Sequence, residues 1–252
     1  MGLGEALAIL AAGTAAGGVN AVVGSGSLIT FPTLLAFGFP PVIANVSNNV
    51  GLVPGNFSGG FGYRRELAGQ RGRLLRLGVP AAAGALGGAL ALLWLPSRAF
   101  ALIVPVLILI SCALVLLQPR IAAWVKAREE GHQRGEYSPL LVAGICLSGA
   151  YGGYFGAAQG VLVIGLLGSF LDETLQRING AKNVLVGLVN GTAAVVFIML
   201  AHVSWAAAAL IAVGSTAGGL LGARFGRCLA PTALRVLVVL IGLTAAIKLI
   251  FF

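Results

Sequence analysis

The sequence predicts an all-α protein that crosses a membrane several times. Of its 252 residues, 58% are hydrophobic and 9% are charged, whereas a soluble domain carries about 25% charged residues. The mean hydropathy is +0.99. The apolar residues fall into ten segments, five in each half of the chain. Helices of roughly 20 residues cross a bilayer with their backbone groups hydrogen-bonded, so we expect a polytopic helical membrane protein that contacts the lipid bilayer directly.

The first half contains one segment that is unusually short. The five segments cover residues 5–23, 27–38, 42–62, 74–95 and 99–117. Segment 27–38 is too short to cross comfortably, because a crossing needs roughly 20 residues. It follows a glycine-bearing break, Gly24-Ser25-Gly26. We interpret it as a broken or re-entrant helix.

The second half has the same pattern, with segments at 138–157, 160–171, 178–201, 204–222 and 232–251. Segment 160–171 is again short, and it follows the break Ala158-Gln159-Gly160. Irregular backbone at membrane depth persists only where protein or a watery cavity satisfies its polar groups. Both breaks are therefore expected to face an interior site.

Four loops carry most of the positive charge. Residues 63–76, 118–137, 172–182 and 223–235 hold five, four, two and three Lys or Arg residues, which is fourteen of the sixteen in the chain. The positive-inside rule places these loops in the cytoplasm and both termini on the other side.

The charge of the loops also gives the two halves opposite orientations. The arginine-rich loop after Gly62 corresponds to the short turn at 202–204 in the second half. We therefore expect two inverted repeats, 1–117 and 138–252, joined by a cytoplasmic linker at 118–137. Inverted repeats characteristically hold the substrate near the midplane, where broken helices of both halves meet.

Several functional classes are disfavoured. The basic residues lie in short loops, so the net charge of +9 does not indicate nucleic-acid binding. The three cysteines are isolated in apolar stretches, so we expect no metal site, cofactor or disulfide framework. All seven acidic residues lie at ends or in loops, which leaves no obvious intramembrane carboxylate for a proton relay. No nucleophile has a plausible base, so we do not expect an enzyme.

Three asparagines recur in both halves at one spacing. They are Asn45, Asn49 and Asn56, followed 134 residues later by Asn179, Asn183 and Asn190. Spacings of four and seven keep the three on one face of a helix. An amide in an apolar helix must find a partner or carry a function. The repetition suggests a binding site that is built twice.

The two polar clusters are expected to open long helices. They read Asn45-Val46-Ser47-Asn48-Asn49 and Asn179-Gly180-Ala181-Lys182-Asn183. Free N–H groups and the macrodipole make a helix start favourable for an anion. Lys182, the equivalent of Asn48, would add one positive charge.

A structural interpretation of the same residues remains open. Asn45 and Asn179 could be ordinary N-caps, and the other asparagines could join neighbouring helices through hydrogen bonds. Lys182 could extend to the cytoplasmic surface. The functional hypothesis assigns substrate binding to both breaks and both clusters: Ser25, Gly26, Ser27, Asn45, Ser47, Asn48, Asn49, Gln159, Gly160, Asn179, Lys182 and Asn183.

The chain resembles the sulfite exporter TauE/SafE family over nearly its whole length. The resemblance rests on GSGSLITFPTLLAFGFPPVIANVSNN in the first half and on AQGVLVIGLLGSFLDETLQRINGAKNVLVGLVNG in the second. Matching positions include Gly24, Gly26, Pro32 and Gly38. Leu166 departs from the pattern, because it stands where the first half has Pro32.

The resemblance implies a function and a location. We expect a secondary transporter in the bacterial inner membrane that moves a small anion, sulfite or a related organosulfonate, by alternating access. An anion channel and a carrier of a non-sulfur organic anion are the alternatives. The sequence gives no indication of an oligomeric state.

Overall fold

The computed structural model describes residues 1–128, 138–225 and 231–251, and these residues form ten α-helices and no strands. The helices are α1 (Leu3–Val22), α2 (Ser27–Ala36), α3 (Pro41–Gly62), α4 (Arg71–Trp94), α5 (Ser97–Arg128), α6 (Pro139–Tyr154), α7 (Gln159–Phe170), α8 (Leu175–Leu200), α9 (Trp205–Phe225) and α10 (Pro231–Phe251). Each predicted apolar segment corresponds to one of these helices.

Five helices among the described residues are long and apolar enough to cross a membrane: Leu3–Val22, Arg71–Trp94, Ser97–Ile121, Leu175–Leu200 and Trp205–Phe225. Helix α3 has 22 residues. Its four asparagines make it more polar than these five spans. Large apolar side chains cover much of the outer surface, as expected for a protein in lipid. The prediction of a multi-pass helical membrane protein agrees with this architecture.

The two short segments are short helices that follow breaks. Helix α2 has 10 residues and α7 has 12, which correspond to about 15 and 18 Å. Gly24 ends α1 with a φ of +85°, and Gly156 follows α6 with a φ of +76°. A positive φ is readily adopted only by glycine. The glycines thus account for the positions of both breaks.

Close contacts at glycine hold the helices together in pairs. Helix α1 packs on α9 and α4 packs on α6. A Cβ added at Gly218 would lie 1.9 Å from the Thr14 carbonyl oxygen, and one added at Gly84 would lie 1.9 Å from the Cys146 carbonyl oxygen. Small residues allow this close approach of helix backbones in membranes.

Helices α3 and α8 lie between these pairs. Helix α3 packs on α8 and α9, whereas α8 packs on α3 and α4. The short helices lie against the last helix of the opposite half, α2 against α10 and α7 against α5. The polar faces of α3 and α8 are thereby enclosed.

The loop expected from residue 118 is partly helical. Helix α5 continues to Arg128, and residues 129–137 lie outside the described part of the chain. Gln118 is buried, where its Nε2 donates to the Val23 carbonyl oxygen at 3.3 Å and its Oε1 accepts from Arg235 Nε at 3.0 Å. These two hydrogen bonds continue the packing of α5 beyond its apolar part.

Candidate functional site

The two helix breaks cross each other with direct backbone contact. The amide of Gly160 donates to the carbonyl oxygen of Gly24 at 3.1 Å. A Cβ added to Gly24 would lie 2.6 Å from the Cα of Gly160. Ser25, Ser27 and Gln159, which flank the crossing, are buried. Both breaks therefore lie inside the protein, and both positions require glycine.

Lys182 is buried next to this crossing. Its side chain is 1% exposed. The Nζ atom donates to the carbonyl oxygens of Asn20 at 2.8 Å and Ala21 at 3.1 Å, in the last turn of α1. The aliphatic stem lies against Gly160, where an added Cβ would be 3.1 Å from Lys182 Cδ. The alternative in which Lys182 extends to the cytoplasmic surface is wrong, because the unpaired carbonyls at the end of α1 draw the ammonium inward.

The charge on Lys182 has no carboxylate partner among the described residues. The ion pairs Arg73–Glu173 and Arg177–Glu173 lie near the start of α8 and do not include Lys182. No other charged side chain in residues 1–128, 138–225 and 231–251 is buried to the same degree. An ammonium has three N–H donors, and two of these are used. An ionisable residue in a membrane interior is by default a functional candidate.

The repeated asparagines form two layers, of which the first joins α3 to α8 by a hydrogen bond and the second bonds to α1. In the first layer, Asn49 Nδ2 donates to Asn190 Oδ1 at 3.3 Å. In the second layer, Asn183 Nδ2 donates to the Ala21 carbonyl oxygen at 3.2 Å, and Asn56 lies close by on α3. The layers are seven residues apart on each helix, or about 10 Å. The repeated asparagines thus face one another across the helix pair.

Asn20 is a central residue that the sequence analysis did not identify. Its Oδ1 accepts from the amide of Gly26 at 3.0 Å, and its Nδ2 donates to Asn56 Oδ1 at 2.8 Å. Its carbonyl oxygen accepts from Lys182. The amide of Gly26 is therefore already bonded, and so is that of Gly160. A single asparagine in an otherwise apolar helix, just before a break, was the signal that could have identified it.

The asparagine clusters lie inside their helices and not at the helix starts where they were expected. Helix α3 begins at Pro41 and α8 begins at Leu175, so Asn45 and Asn179 are each the fifth helical residue. The N-caps are Pro40 and Thr174, and neither asparagine caps its helix. Proline is favoured in the first turn and threonine at the cap, which explains the earlier starts. The clusters therefore offer side chains to a ligand instead of free backbone amides.

Two asparagines of the first cluster contact different helices. Asn45 Nδ2 donates to the Tyr154 carbonyl oxygen at the end of α6, at 3.0 Å. Asn48 Oδ1 accepts from the Thr30 hydroxyl of α2. These bonds connect α3 to the helix before the second break and to the short helix after the first break.

Ser47 and Gln159 form bonds away from the crossing. Ser47 Oγ accepts from the amide of Ser204, in the turn between α8 and α9, at 2.9 Å. Gln159 Nε2 donates to the Ser148 carbonyl oxygen of α6 at 3.2 Å. Of the predicted set, Gly26, Gly160, Lys182 and Asn183 thus gather around the end of α1, whereas these two residues do not.

Several buried polar atoms of the breaks and of the asparagine-bearing helices have no hydrogen-bond partner among the described residues. They include Ser25 Oγ, Asn49 Oδ1, Asn56 Nδ2, Gln159 Oε1 and Asn179 Oδ1. An unsatisfied buried donor or acceptor costs about 1–3 kcal/mol. Such groups mark positions where a bound molecule can supply hydrogen bonds.

Glu173, just before the start of α8, forms ion pairs with two arginines. Glu173 accepts hydrogen bonds from Arg177, one turn later, and from Arg73 of α4 at 3.0 Å. Partial burial raises the pKa of Glu173, but hydrogen bonds from the two arginines lower it more, so the pKa lies below its ordinary value of 4.5. This ionised carboxylate ties the loop before α8 to α4.

Comparison with protein families identifies the chain. The model of the family "Sulfite exporter TauE/SafE" matches residues 9–249. The chain belongs to this family.

Two relatives of this TauE/SafE protein are named as probable membrane transporters. The "Probable membrane transporter protein YfcA" of Escherichia coli K12 is 26% identical over 239 residues, which cover 94% of this chain and 86% of the relative. A "Probable membrane transporter protein" of Haemophilus influenzae is 26% identical over 251 residues, covering 98% and 95%. No solved structure matches. The protein is thus a TauE/SafE-family membrane transporter.

Proposed function

We propose that this transporter carries a small anion, sulfite or a related organosulfonate, and that the anion binds beside Lys182. One observation carries the proposal: the amino group of Lys182 is buried and has no carboxylate partner among the described residues, so nothing there balances its protonated form. Carbonyl dipoles accept its hydrogen bonds but do not neutralise it. A substrate with one negative charge would do so.

The magnitude of this attraction favours an anion strongly. At a separation of 4 Å and an effective dielectric constant near 20, opposite unit charges attract by about 4 kcal/mol. One buried ammonium compensates one negative charge, so a monovalent anion is preferred over a divalent one. Neutral donors around the site add hydrogen bonds without adding charge.

The breaks and the asparagine-bearing helices offer candidate ligands for the anion. Ser25 and Ser27 lie at the start of α2, where the helix dipole favours an anion. Asn56 has an unpaired Nδ2 and belongs to the second asparagine layer. Asn49, Asn179 and Gln159 present unpaired oxygens, which would accept from a protonated or hydroxylated substrate.

We further propose that the two halves are inverted repeats, 1–117 and 138–252, separated by the linker at 118–137. Three pairs of equivalent helices support this, because their starts are 134 residues apart. The pairs are α3 and α8 (41 and 175), α4 and α9 (71 and 205), and α5 and α10 (97 and 231). Packing supports it as well, because α1 on α9 corresponds to α6 on α4, and α2 on α10 corresponds to α7 on α5. The basic loops would then be cytoplasmic in a bacterial inner membrane.

Reciprocal contacts between the halves fit alternating access. Helix α3 of the first half donates to the end of α6 through Asn45, and α8 of the second half donates to the end of α1 through Lys182 and Asn183. The helix that precedes each break is thus held by the opposite half. Rocking one half against the other would change access to the crossing.

Ligand-dependent stability tests the proposal. Purified protein is heated with sulfite, sulfate, thiosulfate, sulfoacetate or a carboxylate, since a ligand that binds the native state raises its apparent stability. We expect sulfite to raise the midpoint of unfolding in a concentration-dependent way. Unchanged midpoints with all five anions would contradict it.

The double variant Asn49→Ala plus Asn183→Ala distinguishes binding from helix joining. If these asparagines bind substrate, a reconstituted and folded variant loses flux. If they only join helices, stability falls and the flux per folded molecule is unchanged.

A further inference from the structure

A cleft on the outer wall of the protein lies away from the proposed anion site. It has a volume of about 560 Å³ and runs between α2 and α10. Pro32 and Leu35 line one side, and Ile241 and Leu249 line the other. Lys248 lies in the last turn of α10, where it borders the cleft.

Lys248 is the polar donor that the cleft offers to a ligand. The two threonines that line the cleft, Thr33 and Thr244, donate their hydroxyl protons to carbonyl oxygens of their own helices at 2.8 and 2.9 Å. Lys248 is exposed and forms no ion pair with a described residue. The cleft thus combines an apolar groove with one free positive charge at its end.

A second cleft with the same arrangement lies between the other short helix and the last helix of the opposite half. It measures about 430 Å³ and lies between α5 and α7, with Val161, Leu162 and Leu166 among its lining residues. Arg120 borders it, next to the end of the apolar span Ser97–Ile121. Each cleft therefore pairs a short helix with a long one and places one basic residue where the long helix leaves the hydrocarbon.

The dimensions match one leaflet of a bilayer. Helix α2 has 10 residues, or about 15 Å, and the hydrocarbon core of a bilayer is about 30 Å thick. A groove along α2 is thus as long as a single acyl layer. Clefts that open to hydrocarbon are filled by acyl chains, because water finds no hydrogen-bond partners there. Basic residues between transmembrane helices bind anionic headgroups.

We propose that each cleft binds one anionic phospholipid, with an acyl chain in the groove and the phosphate on Lys248 or Arg120. A bound lipid would contact both α2 and α10 and hold them in place. Since α2 begins at Ser27, next to the crossing of the breaks, the lipid would also brace that crossing. The same argument applies to α7, which begins at Gln159.

Native mass spectrometry of the delipidated full-length protein tests this proposal. Phosphatidylglycerol or phosphatidylcholine is added at equal concentration, and the lipids that remain bound are counted. We expect two retained phosphatidylglycerols per chain and fewer retained phosphatidylcholines. Lys248→Ala and Arg120→Ala should each lose one phosphatidylglycerol, and the double variant should lose both.

Three matched variants control for surface charge and for the groove. Lys248→Arg keeps the charge and should retain two lipids, as should Arg98→Ala, which removes an exposed charge elsewhere. Ala245→Trp should lose one lipid, because it fills the α2–α10 groove while Lys248 remains. Equal retention of both lipids by the wild type would overturn the proposal. Two retained phosphatidylglycerols in Lys248→Ala plus Arg120→Ala, or a loss in Arg98→Ala, would overturn it too.

Discussion

Replacement of Lys182 by methionine separates a role in anion binding from a role in holding α1. Methionine keeps much of the length and the apolar stem that lies against Gly160, but it removes the charge. The Asn20 carbonyl oxygen then loses its donor, whereas that of Ala21 keeps the bond from Asn183. The substitution therefore leaves one carbonyl without a partner.

The expected change in stability is small compared with the change in affinity. An unpaired buried carbonyl costs about 1–3 kcal/mol, and the removal of a buried ammonium offsets part of this. The lost attraction for a monovalent anion at 4 Å is about 4 kcal/mol. Since about 1.4 kcal/mol corresponds to tenfold, we expect the dissociation constant to rise about a thousandfold in Lys182→Met.

Titration of thermal stability with sulfite measures both quantities in one experiment. The midpoint without ligand reports the structural effect, and its rise with sulfite concentration reports affinity. Lys182→Arg keeps the charge and should retain part of the affinity, and Arg98→Met removes a charge at an exposed position and should retain all of it. A folded Lys182→Met protein that binds sulfite within threefold of the wild type would refute the role of this charge.

Three further outcomes follow from the site and the packing. The pKa of Glu173 is lower in the folded than in the unfolded chain, so its ionised form stabilises the protein above pH 4.5 and this contribution is lost as the pH falls through the lowered pKa. Glu173→Gln should therefore unfold more easily at pH 7, and its difference from the wild type in chemical denaturation should disappear at low pH. Gly88→Ala should lose about 1–3 kcal/mol of stability, because its Cβ would lie 1.9 Å from the Ala150 carbonyl oxygen, whereas Gly87→Ala, with nothing within 4 Å, should be neutral or gain about 0.5–1 kcal/mol. Equal midpoints for these neighbours would contradict the packing of α4 on α6. Among anions of similar size, a monovalent sulfonate should compete with sulfite more strongly than a divalent one does, and the reverse order would contradict the single-charge site.

The sequence predicted the helices well because their signals are local. Runs of apolar residues mark the spans, and glycine-bearing sequences mark the two breaks. The positive φ of Gly24 falls in the break that was predicted, whereas Gly156, just before the second predicted break, was not identified. The asparagine clusters were wrongly expected to open α3 and α8, because Pro41 and Thr174 begin these helices about one turn earlier. The residues at the N-cap and in the first turn therefore determine where α3 and α8 begin.

The burial and the hydrogen bonds of the site residues depend on contacts between distant parts of the chain, and these contacts cannot be read from a single sequence. The charge on Lys182 could be noticed, but its burial depends on carbonyls of α1 that are more than 160 residues away in the chain. Asn20 has no repeated counterpart, so the symmetry that indicated the other asparagines could not indicate it. Its importance comes from its contacts with Gly26 and Asn56.

Sulfite uptake into proteoliposomes tests most directly whether the protein is a carrier with a binding site at Lys182. The initial rate is measured over a range of sulfite concentrations for the wild type and for folded Lys182→Met. A carrier predicts a rate that saturates in the wild type and that falls strongly in the variant. A wild-type rate that rises linearly without saturation, or an equal rate in both proteins, would contradict the account.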